Sequence, residues 1–133
     1  MTIMDPLCDM YTRIRNGIKE KHETVTIPYS NTKLAILNIL NEEGFVNTIK
    51  VHEIRSNIKS IVIELKYTKD GESIINTIDA VSKVSKRKYV RKSKIEKVQN
   101  GFGINIISTS KGIMTGRNAR INGIGGQLLV RVT

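Results

Sequence analysis

The chain holds 133 residues, with 22 Lys and Arg against 12 Asp and Glu, a formal net charge of +10. That length suits one domain, or two small subdomains sharing a core. Apolar residues, at 39%, are too many and too regularly patterned for a disordered polybasic tail, and the richest run, Leu34–Leu40, falls far short of the ~18 residues of a spanning helix, which excludes a membrane protein. Cys8 stands alone, so neither an intramolecular disulfide nor a multi-cysteine metal site is expected. Asp5 and Asp9 do not fit the basic-then-apolar layout of a signal peptide, and a soluble intracellular protein is the default expectation.

Asp5-Pro6 predicts a helix start, because Asp caps free N–H groups and Pro has none to leave unpaired. Leu7, Met10, Tyr11, Ile14 and Ile18 follow at helical spacing, with Arg13, Arg15, Asn16 and Lys19 on or beside the polar face. Thr24–Ile27 alternates like a short strand and stops at Pro28. Ser30 is placed to cap a second helix reaching Asn41, with Gly44 just beyond its end. Phe45–Ile54 and Ser60–Tyr67 read as strands joined by the turn Arg55-Ser56-Asn57, and Lys69-Asp70-Gly71 as a second turn. Ile74–Ser82 is ambiguous between helix and strand. Ser93 and Glu96 have capping-box spacing and suggest one helical turn. Ile104–Ile107 and Gln127–Val132 read as strands, and Thr115–Asn122, ending at Gly123, as a brief helix. The expectation is an α+β fold of two packed subdomains: an α-β-α-β-β unit over 1–70 and a β-rich unit with one short helix over 71–133. No internal repeat or flexible linker separates them.

The charge is unevenly divided. Residues 1–81 carry 10 basic and 11 acidic side chains, whereas residues 82–133 carry 12 basic ones and the single acid Glu96. A half-chain at +11 repels itself unless a polyanion or counterions neutralise it. Nucleic acid is the first candidate; an anionic membrane surface would call for a basic amphipathic helix that this stretch does not resemble.

Motifs for catalysis are weak by comparison. Asp5, Asp9, Glu42 and Glu43 read as solvated helix-terminal acids, and His22 and His52 as surface or edge residues without a second ligand at metal spacing. Ser108-Thr-Ser-Lys111 has the Ser-x-x-Lys spacing of acyl-transferring enzymes, but an apolar strand runs into it and Gly112 follows at once, which favours a loop. Its companion elements are absent, as are a dinucleotide fingerprint and a Walker loop. The same residues suit a polyanion. Ser and Thr hydroxyls hydrogen-bond phosphate, ribose and base edges; Lys111 adds a charge; Gly112, Gly125 and Gly126 admit close backbone approach; Tyr89, within Lys88-Tyr-Val-Arg-Lys92, can stack on an unpaired base.

Ile107-Ser-Thr-Ser-Lys-Gly-Ile-Met-Thr115, followed by Arg120 and Gly123-Ile-Gly-Gly126, resembles the signature of the small-subunit ribosomal protein S-eight family (uS-eight), of bacterial or organellar type. Asp9-Met-Tyr-Thr-Arg-Ile-Arg-Asn-Gly17 and Asn41-Glu-Glu-Gly-Phe45 match the family's opening helix and its second helix and turn, and the resemblance covers the whole chain. It implies a non-enzymatic structural component of the small ribosomal subunit that binds rRNA of the central domain early in assembly and helps organise it. By the same resemblance Ser108, Thr109, Ser110, Lys111 and Gly112 form an RNA-contacting loop, with Ser110 closest to an unpaired base. Gly125 and Gly126 form the adjacent turn and Tyr89 a stacking or hydroxyl contact, while Arg13, Arg15 and Asn16 touch a second RNA segment. Lys88, Arg91, Lys92, Thr115, Arg117 and Gln127 complete the candidate set. No cofactor or metal is expected. Implied partners are ribosomal proteins S-five and S-twelve and, in many bacterial members, the operon's own messenger RNA. The chain departs from the family at Gln127, where Glu is usual, and at Lys83-Val84-Ser85, where Arg-Pro-Gly is frequent; the latter leaves a tight turn and a continuous strand both open.

Two readings of other classes remain at this point. A DNA-binding architectural protein shares the charge but needs a recognition helix or ribbon. A hydrolase using Ser108 and Lys111 needs an apolar substrate pocket and a general base.

Overall fold

Pro6 opens α1 (Pro6–Lys19), where the first turn leaves N–H groups unpaired in any case. Met10, Tyr11, Ile14 and Gly17 recur every three or four residues along it and are buried, while Arg13, Arg15 and Asn16 are exposed. A Cβ on Gly17 would stand 2.5 Å from Cγ2 of Val25, so the missing side chain is what lets α1 lie close to β1 (Thr24–Pro28). The computed structural model describes residues 6–81, 89–91 and 103–133. They divide into two units, Met10–Ile75 and Asn76–Thr133, the second also taking in α1 up to Asp9.

In the first unit, β1 turns Val25 and Ile27 inward and its alternate residues outward. Ser30, extended at φ −153° and ψ 155°, then caps α2 (Asn31–Glu42) by accepting from the Lys33 N–H at 3.1 Å. Ser30→Ala is expected to lower stability by about 1 kcal/mol, read as a shift in denaturant midpoint at constant m-value. Strands β2 (Val46–Arg55) and β3 (Ile58–Leu65) form a hairpin. Arg55 belongs to β2 rather than to the turn, because Asn57 adopts a left-handed φ of +67° and a two-residue Ser56-Asn57 connection suffices. The sheet order is β1-β3-β2, all antiparallel. The unit's buried apolar residues include Val25, Ile27, Ile36, Leu37, Leu40, Ile61, Ile63 and Leu65.

The second unit contains β4 (Ile78–Ala80), β5 (Tyr89–Val90), β6 (Ile104–Thr109), β7 (Gly112–Thr115), α3 (Gly116–Asn122) and β8 (Gly126–Val132). Its sheet runs β4-β8-β6-β7, and β5 also pairs with β8. The segment that patterning leaves ambiguous contributes β4, which pairs Ile78 with Val132. Thr115 is the N-cap of α3 rather than its first residue, and the helix ends on Gly123, in the left-handed conformation at φ +68°.

The expected loop at Ser108–Lys111 needs correction. Sequence patterning ends the strand before Ser108, whereas β6 continues through Thr109 and Gly112 begins β7. Thr109 pairs with Gly112, leaving only Ser110 and Lys111 in the turn. Gly112, at φ +115°, takes a conformation that L side chains rarely adopt, and this allows the chain to reverse so tightly. The expected helical turn at Ser93–Glu96 and the Lys83–Ser85 segment lie outside the described residues. The architecture is α+β, with two antiparallel sheets and three helices among the described residues. No helix among these residues is long and apolar enough to cross a membrane.

Candidate nucleic-acid interface

Directly paired residues on neighbouring antiparallel strands project from the same face of a sheet. In the second unit β8 pairs Gln127 with Tyr89 on one side and with Ser108 on the other, and Ser108 in turn pairs with Ile113. Tyr89, Gln127, Ser108 and Ile113 therefore form one row across four strands. Tyr89 is 70% exposed, and the other three are half-buried. The next row, Leu128–Ile107–Met114, faces the opposite way and packs with Ala119 of α3. At this end of the sheet one side packs against α3 and the other presents an aromatic ring, a carboxamide and a hydroxyl, while further along the Ser108 side Ile106 and its partners Val130 and Thr115 are buried.

Gly126 holds this row together. A Cβ there would lie 2.2 Å from the Ser108 carbonyl oxygen, so the space that the sequence suggests for a ligand is filled by the backbone of β6. The hairpin tip follows the same division of labour. Thr109 Oγ1 accepts from the Lys111 N–H at 3.1 Å and donates to the Gly112 carbonyl at 2.8 Å, so its hydroxyl shapes the turn. Ser110 and Lys111 stand exposed at the tip that this turn creates.

The remaining sequence candidates are distributed. Thr115 is buried, and its hydroxyl accepts from the Asn118 N–H at 3.1 Å, capping α3. Arg117 is exposed on α3 and Gly125 half-buried just before β8. Arg91 is exposed beside β5, whereas Lys88 and Lys92 lie outside the described residues. Arg13, Arg15 and Asn16 belong to the first unit, exposed on α1. Sequence reasoning misses Ile113 as a member of the row, and Ile121 as a large apolar side chain 72% exposed on α3. A register is needed to find the first; the second is visible only once the packed side of a seven-residue helix is known.

The arrangement argues against the acyl-transfer reading. Ser108 sits mid-row on a strand and Lys111 in a turn, not on successive turns of one helix as Ser-x-x-Lys chemistry requires. Among the described residues no three His, Cys, Asp or Glu are grouped to hold a metal. No carboxylate side chain occurs from Lys97 to Thr133, and among the described strands of this sheet the one carboxylate is Asp79 of β4, which pairs with Arg131 of β8.

Fold and surface together define a class: a small α+β protein whose second sheet presents, among the described residues, a polar row and hairpin tip without a carboxylate. The family is more specific. Residues 5–133 match the sequence profile described as Ribosomal protein S8, and the chain belongs to that family. It is 46% identical to the small ribosomal subunit protein uS8 of Orientia tsutsugamushi over 132 residues, covering 99% of both chains. It is 48% identical to that of Acetivibrio thermocellus over 133 residues and 45% identical to that of Halothermothrix orenii over 132, again covering 99% of each.

Proposed function

We infer that the Tyr89–Gln127–Ser108 face and the Ser110-Lys111 tip are the surface through which the chain binds small-subunit rRNA. Membership of the family makes the protein a structural, rRNA-binding component of the small ribosomal subunit, and a role in organising the particle's assembly accords with it. The observation that carries the site assignment is the cross-strand row, which gathers residues 38 positions apart into one polar-aromatic surface with no carboxylate. Aromatic stacking and hydroxyl or amide hydrogen bonds suit unpaired bases in an irregular RNA helix, which is where proteins read RNA sequence. Lys111, Arg91 and Arg117 neutralise phosphates around it. Gln127, with both a donor and an acceptor, contacts RNA without adding a negative charge.

A titration against rRNA fragments tests the reading. Ser110→Ala is expected to narrow the affinity gap between a looped central-domain fragment and unrelated RNA. Lys111→Ala and Arg91→Ala are each expected to flatten the slope of log affinity against log salt by about 0.7–0.9. Weak binding that is uniform across fragments and indifferent to these changes refutes the assignment, and duplex DNA competing as well as looped RNA favours the architectural DNA-binding reading instead. Ribosomal proteins S-five and S-twelve are the proposed protein neighbours, and a messenger RNA mimicking the ribosomal site a second RNA partner. The proposed location is within the ribosome, in bacterial cytoplasm or an organelle matrix or stroma.

A further inference from the structure

The chain contains three Asn-Gly steps, at 16–17, 100–101 and 122–123. Such a step is chemically labile, because glycine has no side chain to shield its amide nitrogen from the neighbouring carboxamide. The middle step lies outside the described residues, and the fold treats the other two differently. Asn16-Gly17 lies within α1, and the peptide group joining its two residues is locked. The Asn16 carbonyl accepts from the Glu20 N–H at 3.0 Å, and Gly17 is buried with Val25 against it.

Asn122-Gly123 stands at the end of α3, and both residues are exposed. A Cβ on Gly123 would meet nothing within 4 Å, so the space beside this residue is open. Two hydrogen bonds hold the pair. The Gly123 N–H donates to the Arg120 carbonyl at 3.1 Å, and Asn122 Nδ2 donates to the Asn118 carbonyl at 2.9 Å. Both belong to the last turn of a seven-residue helix, and helix ends open at the least cost in free energy. Fraying of that turn releases the carboxamide and the backbone nitrogen together, and lets the main chain rotate to bring them into contact.

We propose that Asn122 is a site of spontaneous deamidation in the folded protein. The Gly123 nitrogen gives its proton to solvent base and attacks Cγ of Asn122. A C–N bond forms, the bond from Cγ to Nδ2 breaks, and the carboxamide nitrogen takes up a proton and leaves as ammonia. Water then opens the cyclic imide at one of its two carbonyls, giving aspartate or isoaspartate; the latter carries an extra methylene in the main chain. Either product places a carboxylate at the C-terminal end of α3, where the helix dipole opposes it, in a stretch from Lys97 to Thr133 that has no other acidic side chain. Isoaspartate also lengthens the path between Ala119 and Ile124, whose N–H donates to the Ala119 carbonyl at 2.9 Å to close this cap. Ala119 packs with Ile107 and Leu128 on the side of the sheet opposite the polar row, so the damage reaches the support of that row. The consequence for RNA rests on the function proposed above; the modification itself does not.

The test ages the full chain in mildly alkaline buffer, native and in guanidinium, and maps the products by mass spectrometry, with enzymatic methylation marking isoaspartate. Cleavage after Lys and Arg places Asn16, Asn100 and Asn122 on separate peptides. Folding is expected to slow conversion about tenfold or less at Asn122 and about a hundredfold or more at Asn16. Asn122→Gln is expected to remove isoaspartate from its peptide. Protein modified at Asn122, separated by ion exchange, is expected to melt about 2–5 °C lower. It is also expected to bind a looped rRNA fragment about twofold to fivefold more weakly, the size of one misplaced surface charge. An Asn122 that stays intact in the native protein, or that folding slows as much as Asn16, overturns the proposal. Fresh protein without preference for the looped fragment counts against the hairpin surface instead, and the peptide map still decides the modification.

Discussion

Gly126→Ala is expected to unfold the C-terminal sheet preferentially, costing about 3 kcal/mol and lowering the melting temperature by roughly 10 °C. The new Cβ would meet the Ser108 carbonyl oxygen at 2.2 Å and its carbon at 3.0 Å, both backbone atoms that no rotamer change can move. Strands β6 and β8 must separate locally, at the point where the row of Ser108, Gln127 and Tyr89 is assembled. Replacing Gly by Ala also stiffens the unfolded chain, which offsets only about 0.4–1 kcal/mol. The steric cost wins. Calorimetry of the intact protein measures it, and RNA affinity falls in parallel because the row loses its register. Gly112→Ala is the informative contrast: nothing lies within 4 Å of its added Cβ, so only the strain of φ +115° is incurred.

Tyr89→Ala is expected to have the opposite profile, leaving stability within about 0.5 kcal/mol and weakening RNA binding by about 1–3 kcal/mol, roughly 5-fold to 150-fold. The ring is 70% exposed, so its removal leaves no cavity. It stands beside Gln127 at the end of the row, and on the proposed reading it is the platform for an unpaired base. Tyr89→Phe keeps the ring and is expected to keep most of the affinity, because stacking needs the π-face rather than the hydroxyl. Thermal melts and filter-binding titrations on the same preparations separate the two effects. Equal losses of stability and affinity in Tyr89→Ala contradict the assignment.

Local signals carried much of the fold. Ser30 is a cap because a short hydroxyl side chain precedes a helical stretch, a pattern that a few consecutive residues suffice to display. The apolar spacing in α1 likewise marks its buried side without reference to what covers it. The hairpin of β6 and β7 is less legible. Ile113 and Met114 are two adjacent apolar residues without alternation, and only the Thr109–Gly112 pairing makes them a strand. Gly125-Gly126 shows how composition misleads. The pair reads as an open turn, yet Gly126 is a packed strand residue whose missing Cβ is occupied space.

The candidate site divides along the same line. Ser110 and Lys111 are legible because residue chemistry and local charge suffice to nominate them. Gln127 as the link between Tyr89 and Ser108 is not, since strand register is a long-range property that no window of sequence contains.

Hydroxyl-radical cleavage of small-subunit rRNA from an iron chelate tethered at position 110 (Ser110→Cys, with Cys8→Ser to remove the native thiol) probes the hairpin tip at close range. Cuts confined to one looped segment of the central domain, and lost when Tyr89→Ala is added, are the predicted result. Cuts scattered evenly along the RNA, or no cuts from a protein that still binds with full affinity, contradict the placement of the RNA on this face.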